Sequence, residues 1–319
     1  MRSFVLLLLA AAVLGCDSPP PPSTGAAQGA VKDAAKKPLE IPGLTFPAPK
    51  RLVAIGDVHG DLDATKRALK LAGAIDDSGA WAGGDLFVVQ VGDQLDRGDD
   101  DRAILDLFEK LTAQAKDKGG TFLAINGNHE IMNAQLDFRY ATDGSNPPFD
   151  EFAASAPAPL MKFPEALRGR AAAFVPGGPY AKKLADRPLY AIVGDSVFVH
   201  GGILPKHVDY GLEKLDKETR AWLRGEVPSA PAMLLSDDGP IWSRMYSAAT
   251  GREECATLGK VLDRVGVKRM VMGHTPQKPG ISPTCDDRAW RIDTGMARAY
   301  GGKVEVLEIA GDGVKVLRD

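Results

Sequence analysis

Several scarcities narrow what this chain can be. It has three cysteines in 319 residues, which leaves at most one internal bridge if Cys16 is committed elsewhere. No sign of charge dominates: 39 basic and 42 acidic residues give a formal net charge of −3, with no Lys/Arg run and no basic stripe interleaved with aromatics. Nucleic acid is therefore not an expected partner. The apolar run from Phe4 to Leu14 is too short to span a bilayer, and no internal repeat is evident. Histidine is scarce too, with five, but four of them stand in short clusters with Gly, Asp or Asn.

Arg2, the run Phe4 to Leu14, and Val13-Leu14-Gly15-Cys16 fit a secretory signal peptide over 1–15. Gly15-Cys16 resembles the lipobox of bacterial lipoproteins, which predicts cleavage before Cys16 and lipid on it. The alternative is an ordinary signal peptide with a chance cysteine, and either way the protein leaves the cytoplasm. Residues 16–47 are rich in Pro, Ala, Gly, Ser and Lys, with Pro19 to Pro22 in a row. Such a segment cannot bury enough apolar surface to order itself and reads as a disordered tether from a membrane. With Cys16 lipidated, Cys255 and Cys285 remain as a candidate disulfide in a compartment that permits one; two unpaired thiols are the alternative.

The expected folded domain is 48–319, about 270 residues, within reach of one α/β core carrying an insertion. Short Val/Ile/Leu-rich runs predict strands at Arg51 to Ile55, Asp85 to Val91, Thr121 to Ile125, Leu189 to Val193, Val197 to Val199 and Arg269 to Met272. They are continuous rather than alternating, as strands covered on both faces should be. Helical patterns intervene at Asp61 to Ala72, Asp100 to Ala115, Lys214 to Arg224 and Glu253 to Val265. Strands at Ala289 to Asp293, Lys303 to Ile309 and Val314 to Leu317 follow, the last two joined at Gly311-Asp312-Gly313. This alternation predicts an α/β sandwich of two sheets flanked by helices. The Pro-rich stretch at about 133–186 is too long for an ordinary connection and reads as an inserted lid, with short helices around Phe149 to Ala154 and Tyr180 to Leu184.

The clusters carry the chemistry, and each follows a predicted strand, where ligands of open α/β sheets collect. Asp57 and His59 are i and i+2 on a segment leaving a strand, so both side chains can face one metal. Asp93 can bridge a second, and Asn128, His200 and His274 would complete it. Taken alone, Gly-Asp-Val-His-Gly is a polar turn and His200 a satisfied core residue; together they describe a site for two metal ions.

The motifs Gly56-Asp57-Val58-His59-Gly60, Gly92-Asp93-Gln94-Leu95-Asp96-Arg97-Gly98, Gly127-Asn128-His129-Glu130, His200-Gly201-Gly202 and Gly273-His274 resemble, in order, those of calcineurin-like metallophosphoesterases of the phosphoprotein phosphatase branch. Asp137-Phe138-Arg139-Tyr140, Arg269 to Gln277 and Ile292-Asp293-Thr294-Gly295-Met296 resemble the bacterial Shewanella-like protein phosphatases. The Ser-Ala-Pro-Asn-Tyr stretch of eukaryotic Ser/Thr phosphatases is missing. The resemblance implies a dinuclear phosphomonoester hydrolase that uses a metal-bridging hydroxide as nucleophile and prefers phosphotyrosine proteins or peptides.

Imidazole titrates near working pH, so His129 is the candidate general acid, oriented by Asp96. Asp99, Asp100 and Asp101 are read as capping acids of the following helix. Arg97 and Arg244 could hold phosphate oxygens in paired hydrogen bonds alongside Asn128; a surface arginine is the alternative for Arg244, and Arg139 is a weaker third candidate. His207 reads as a solvated or helix-start residue, and Trp81, Trp222 and Trp290 as packing residues. The donor set suits Mn, Fe or Zn, with Mn expected to serve in vitro. Two other functions fit less well: hydrolysis of small phosphorylated molecules or nucleotides, and a noncatalytic lipoprotein that binds phosphorylated ligands. The expected address is a membrane-anchored lipoprotein facing the periplasm or the outside.

Overall fold

Continuous apolar strands need cover on both faces, and the chain supplies it by stacking two sheets with helices outside each. The computed structural model describes residues 44–248 and 250–319; the signal peptide, Cys16 and most of the tether lie outside the described residues. One sheet runs β11 (Gly313–Arg318), β10 (Glu305–Ala310), β2 (Leu52–Ile55), β3 (Phe87–Gln90), β4 (Thr121–Ala124). In it β2, β3 and β4 are parallel and β10 is antiparallel to both β2 and β11. The second runs β1 (Thr45–Phe46), β5 (Tyr190–Val193), β6 (Ser196–Val199), β7 (Arg269–Met272), β9 (Ala289–Arg291), β8 (Ser282–Thr284).

Alternate residues of each strand serve different layers. Leu52, Ala54, Phe87 and Val89 meet Ala191, Phe198, Val271 and Trp290 between the sheets. Val53, Ile55 and Val88 face outward onto α1 (Leu62–Leu71) and α2 (Asp101–Asp117), through Ala68, Leu69, Ile104 and Phe108. Val197, Val199, Met270 and Met272 belong to the opposite outer layer, with Leu258 and Leu262 of the later helix at Arg252–Val265. The remaining helices are α3 (Asn128–Ala134), α4 (Glu165–Phe174), α5 (Pro179–Ala185), α6 (Pro205–Tyr210), α7 (Leu212–Leu223), α8 (Ala232–Leu235) and α9, the Arg252–Val265 helix just named. Among the described residues no helix is long and apolar enough to cross a membrane.

The fold departs from the sequence expectations in several places. The folded unit begins before 48, because Thr45 pairs in register with Ile192 and Phe46 packs edge-on against Phe87 at 5.2 Å. Gly-Asn-His-Glu is not a loop: Asn128 opens α3, whose first turn is closed by Glu130 accepting the Gly127 N–H at 2.7 Å. His207 is wholly buried rather than solvated; its Nδ1 accepts the Leu204 N–H and its Nε2–H donates to the Asp238 carbonyl. The 133–186 insertion contributes Phe149, Phe174, Tyr180 and Leu184 to the largest core cluster, so most of it is a packed layer.

Cys255 on α9 and Cys285, which follows β8, are bonded with Cα atoms 5.1 Å apart. The bridge closes a segment with a sequence separation of 30. Restricting such a loop in the unfolded chain contributes about 3.5 kcal/mol in the chain-entropy model. Replacing both cysteines with serine, or adding reductant, should lower the melting temperature by roughly 10 °C as read by circular dichroism. An unchanged melting temperature would show that the bridge contributes nothing.

Candidate metal centre

Six chain segments deliver polar groups to one end of the sandwich, each just past a strand. Asp57 and His59 follow β2, Asp93 follows β3, Asn128 and His129 follow β4, His200 follows β6, His274 follows β7 and Asp293 follows β9. Close convergence strains the backbone. His59, Asp93, Asp96, Arg97 and His274 all have φ between +40° and +71°, where side-chain-bearing residues rarely sit. It also demands glycine: a Cβ at Gly127 would strike Asp93 Oδ1, and one at Gly273 would strike Asp57 Oδ1.

Two groups of side chains meet, each with its ligand atoms within 4.8 Å of one another: His59, Asp93 and His129 in one, Asp93, His200 and His274 in the other. Asp93 is common to both. His59 Nε2 lies 4.0 Å from Asp57 Oδ2 and 3.6 Å from Asp93 Oδ2, while His200 Nε2 lies 3.3 Å from Asp93 Oδ1 and 2.9 Å from Asn128 Oδ1. The predicted residues Asp57, His59, Asp93, Asn128, His200 and His274 are thus brought together. Two observations test whether they suit metal ions. The donors are carboxylate, amide and imidazole, which match Mn, Fe or Zn. Asp57 Oδ1 and Asp293 Oδ2 are buried and meet no donor, so each needs a proton or a cation. The residues fit a pair of metal ions.

The second nitrogen of each histidine separates their roles. His59 Nδ1–H donates to the Leu95 carbonyl at 3.1 Å, His200 Nδ1–H to the Val91 carbonyl at 2.9 Å, and His274 Nε2–H to the Trp242 carbonyl at 3.1 Å. A carbonyl can only accept, so the proton sits on that nitrogen and the other presents a lone pair. Burial also lowers His59 to about 4 and His274 to about 2, favouring the neutral ring a ligand requires, whereas at His200 the adjacent Asp93 outweighs burial and raises the ring. His129 differs. Its Nδ1 faces Asp96 Oδ2 at 2.6 Å, and although burial opposes it, Asp93 and Asp96 hold the ring up to about 9. Distance alone would admit His129 as a ligand, but a protonated ring is a donor.

The carboxylates show the strain of their crowding. Burial, then Asp293 and Asp93, raise Asp57 well above the usual carboxylate range, and burial pushes Asp293 up to about 6. Burial would raise Asp93 as well, yet His200, His129 and His59 around it hold it well below that range.

Around this centre is a cavity of about 240 Å³ whose wall includes Arg97, Arg244, Tyr140, Trp242 and Tyr300. Arg97 lies over the Tyr140 ring, 3.9 Å to its centroid, and Tyr300 stands 5.1 Å from His59. Arg139 does not reach the cavity; it is exposed and paired with Asp137. Of the insertion only Tyr140 lines it. A larger groove of about 620 Å³ runs along α1 and contains no histidine.

Several supports were not foreseen. Glu130 accepts the backbone N–H groups of Asp93, Gln94 and Gly127, tying two loops to α3. Asp293 lines the cavity beside Asp57. The aspartates expected to cap α2 do other work: Asp99 accepts the Thr142 hydroxyl, Asp100 makes no cap bond, and Asp101 is buried against Arg170 at 2.6 Å. Glu130 and Asp293 stood inside quoted motifs, whereas nothing near Arg170 in sequence marks it.

A two-sheet sandwich presenting aspartate, asparagine and histidine at its strand ends, around a shared carboxylate, defines a metal-dependent phosphoesterase. Residues 50–278 match the calcineurin-like phosphoesterase family, and the chain belongs to it, among the Shewanella-like protein phosphatases. It is 42% identical over 312 residues to Shewanella-like protein phosphatase 2 of Arabidopsis thaliana, covering 87% of this chain and 80% of that one. It is 30% identical over 256 residues to Shewanella-like protein phosphatase 1 of Plasmodium berghei, covering 77% and 67%. The fold is similar to that of the cold-active protein-tyrosine phosphatase of a psychrophile Shewanella species, with a TM-score of 0.68, 24% identity, and coverage of 89% and 84%. The protein is a metal-dependent phosphatase.

Because buried carboxylates repel one another until a cation joins them, Mn²⁺ should raise the melting temperature. Saturation at about a hundred times the dissociation constant corresponds to roughly 2.7 kcal/mol. Asp93→Asn, which removes the shared carboxylate, should abolish most of that rise in a thermal-shift titration. An equal rise in the variant would mean that the ions bind elsewhere.

Proposed function

We propose that the protein hydrolyses phosphotyrosine in proteins or peptides, with Asp57, His59 and Asp93 holding one metal ion and Asp93, Asn128, His200 and His274 the other. Such ions would neutralise phosphate charge and supply a water acidic enough to act as nucleophile near neutral pH. The chain's own residues supply the rest. Arg97 and Arg244 grip phosphate oxygens, Asn128 contributes to the same grip, and His129 gives its Nε2 proton to the leaving oxygen while Asp96 holds the ring. The single observation that carries this reading is the contrast in histidine partners: three rings with one nitrogen fixed by a backbone carbonyl and one ring fixed by a carboxylate.

The aryl preference is supported by the cavity wall, where Tyr140, Tyr300 and Trp242 offer ring faces beside the phosphate-holding arginines. The name of the structurally similar cold-active protein-tyrosine phosphatase points the same way. Manganese is the metal we propose for in vitro assays, on the donor set. We further propose an exported, membrane-anchored lipoprotein facing the periplasm or the outside. It is supported by Phe4 to Leu14, Gly15-Cys16 and the Pro-rich segment after them. A bonded Cys255–Cys285 pair suits an oxidising compartment.

His129→Asn should keep its metal content by elemental analysis yet lose about 10² to 10⁴ in kcat on phosphotyrosine. Loss of both metals in that variant would instead make His129 a ligand. Turnover of wild type should stop on exhaustive chelation and return with Mn²⁺. For the aryl preference, Tyr140→Ala and Tyr300→Ala should each lower kcat/KM for phosphotyrosine about 2- to 10-fold relative to phosphoserine, the scale of one aromatic contact. A ratio unmoved in both variants would remove the aromatic wall from the argument.

A further inference from the structure

The insertion brings to the core a charge that the chemistry described so far does not use. Arg170, on α4, has no exposed surface. Its Nη2–H groups donate to Asp96 Oδ1 at 3.0 Å and Asp101 Oδ2 at 2.6 Å, its Nη1–H to Ser145 Oγ at 2.9 Å, and its Nε–H to Asn133 Oδ1 at 2.8 Å. Phe138, Phe149 and Phe174 surround the guanidinium with ring centroids 5.5 to 5.8 Å away. A cation with this many directed partners, enclosed by aromatic rings, has no freedom to move.

What it holds is the carboxylate behind His129. Asp96 has two oxygens: Oδ1 takes the Arg170 bond and Oδ2 takes His129 Nδ1–H at 2.6 Å. The Asn133 amide, itself fixed by Arg170, spans both oxygens at 3.1 and 3.2 Å. The backbone N–H of Asp96 is held by Asp101 Oδ1 at 2.8 Å, and the other oxygen of Asp101 is again on Arg170. Every bond that sets the plane of the Asp96 carboxylate, apart from that to His129, leads to Arg170 or to a group Arg170 fixes. With Oδ1 taken, Oδ2 is left to orient the imidazole, so that Nε2 points into the cavity.

We propose that Arg170 is a positioning residue for proton donation, through which the insertion aims the Asp96–His129 pair at the leaving oxygen. This rests on the reading of His129 as the proton donor. The insertion is then part of the catalytic apparatus although only Tyr140 of it reaches the cavity. Loss of the Arg170 bonds alone would leave the metal ligands in place and misdirect the acid.

The test compares a leaving group that needs a proton with one that does not. Phosphotyrosine expels a phenol whose pKa is about 10, whereas p-nitrophenyl phosphate expels a stabilised anion. In the Mn²⁺-loaded protein, Arg170→Lys and Arg170→Met should lower kcat on phosphotyrosine roughly tenfold or more and change it on p-nitrophenyl phosphate by less than about threefold, with KM steady. In a His129→Asn background the same substitutions should add less than about twofold. Should neither Arg170 variant fold by circular dichroism, Asn133→Ala reads the same linkage, since it removes the amide that spans both Asp96 oxygens and accepts the Arg170 Nε–H, and should show the same leaving-group contrast. Equal losses on both substrates, or equal losses in both backgrounds, overturn the proposal and leave Arg170 as a structural cation. If His129→Asn itself turns over phosphotyrosine at the wild-type rate, the reading of His129 fails and this inference falls with it.

Discussion

Six carboxylates, Asp57, Asp93, Asp96, Asp101, Glu130 and Asp293, are all buried at one end of the sandwich, and that crowding of like charge is the constraint on which the rest depends. Removing a carboxylate from water costs several kcal/mol unless a cation or a set of donors replaces the solvent. The fold answers each one differently. Glu130 is met by backbone N–H groups, Asp96 by Arg170 and His129, and Asp101 by Arg170 and the Asp96 N–H. Asp57 and Asp293 each keep a buried oxygen without a donor, and Asp293 lines the cavity. The place where neutralisation by protein groups stops is the place built for metal ions, and the electrostatics of the centre and its chemistry are one arrangement.

Holding such a cluster requires a frame that does not yield. The parallel strands β2 and β3 are buried on both faces and β4 is buried on one, and their ends carry Asp57, Asp93 and Asn128 at fixed spacing. Loop-to-loop bonds finish the work: Val58 and His59 N–H both donate to the Asp93 carbonyl, and Gln90 Nε2–H donates to the Gly56 and Gly92 carbonyls. The positive φ values at His59, Asp93 and His274 would relax in an isolated loop. They persist here because these bonds and the glycines beside them over-determine the backbone.

Much of this was legible in the sequence, for local reasons. Each metal-site residue sits within a few positions of a Val/Ile/Leu-rich strand and next to glycine, so the pattern and the geometry have the same cause. The supports were not legible, because their causes are distant in the chain. Arg170 meets Asp96 across 74 residues, and Asp293 meets Asp57 only after both sheets have formed. Asp101 reads as a cap because it precedes a helix, and burial of that end of α2 against α4 changes its job. Gly127-Asn128 falls outside the helical patterns of the sequence, and Glu130 folding back on Gly127 makes it a helix start. His207 reads as a solvated or helix-start residue since Pro205 and Lys206 precede it; it does stand in the first turn of α6, but its ring is buried and bridges Leu204 and Asp238.

The division of labour among the histidines follows from one atom apiece. A neutral carbonyl fixes a tautomer without adding charge, so the ring behind it offers a lone pair on its other nitrogen. A carboxylate fixes the same nitrogen but adds a full negative charge, which stabilises the imidazolium instead. His59, His200 and His274 have the first kind of partner and His129 the second. Residue type and distance to the centre do not distinguish them, since His129 and His59 stand at 4.8 Å from each other and share Asp93 as a neighbour. Exchanging the Asp96 carboxylate behind His129 for a neutral acceptor would, on this logic, turn the acid into a fourth histidine ligand, and the five carboxylates left buried would have lost one of the cations that keep them together.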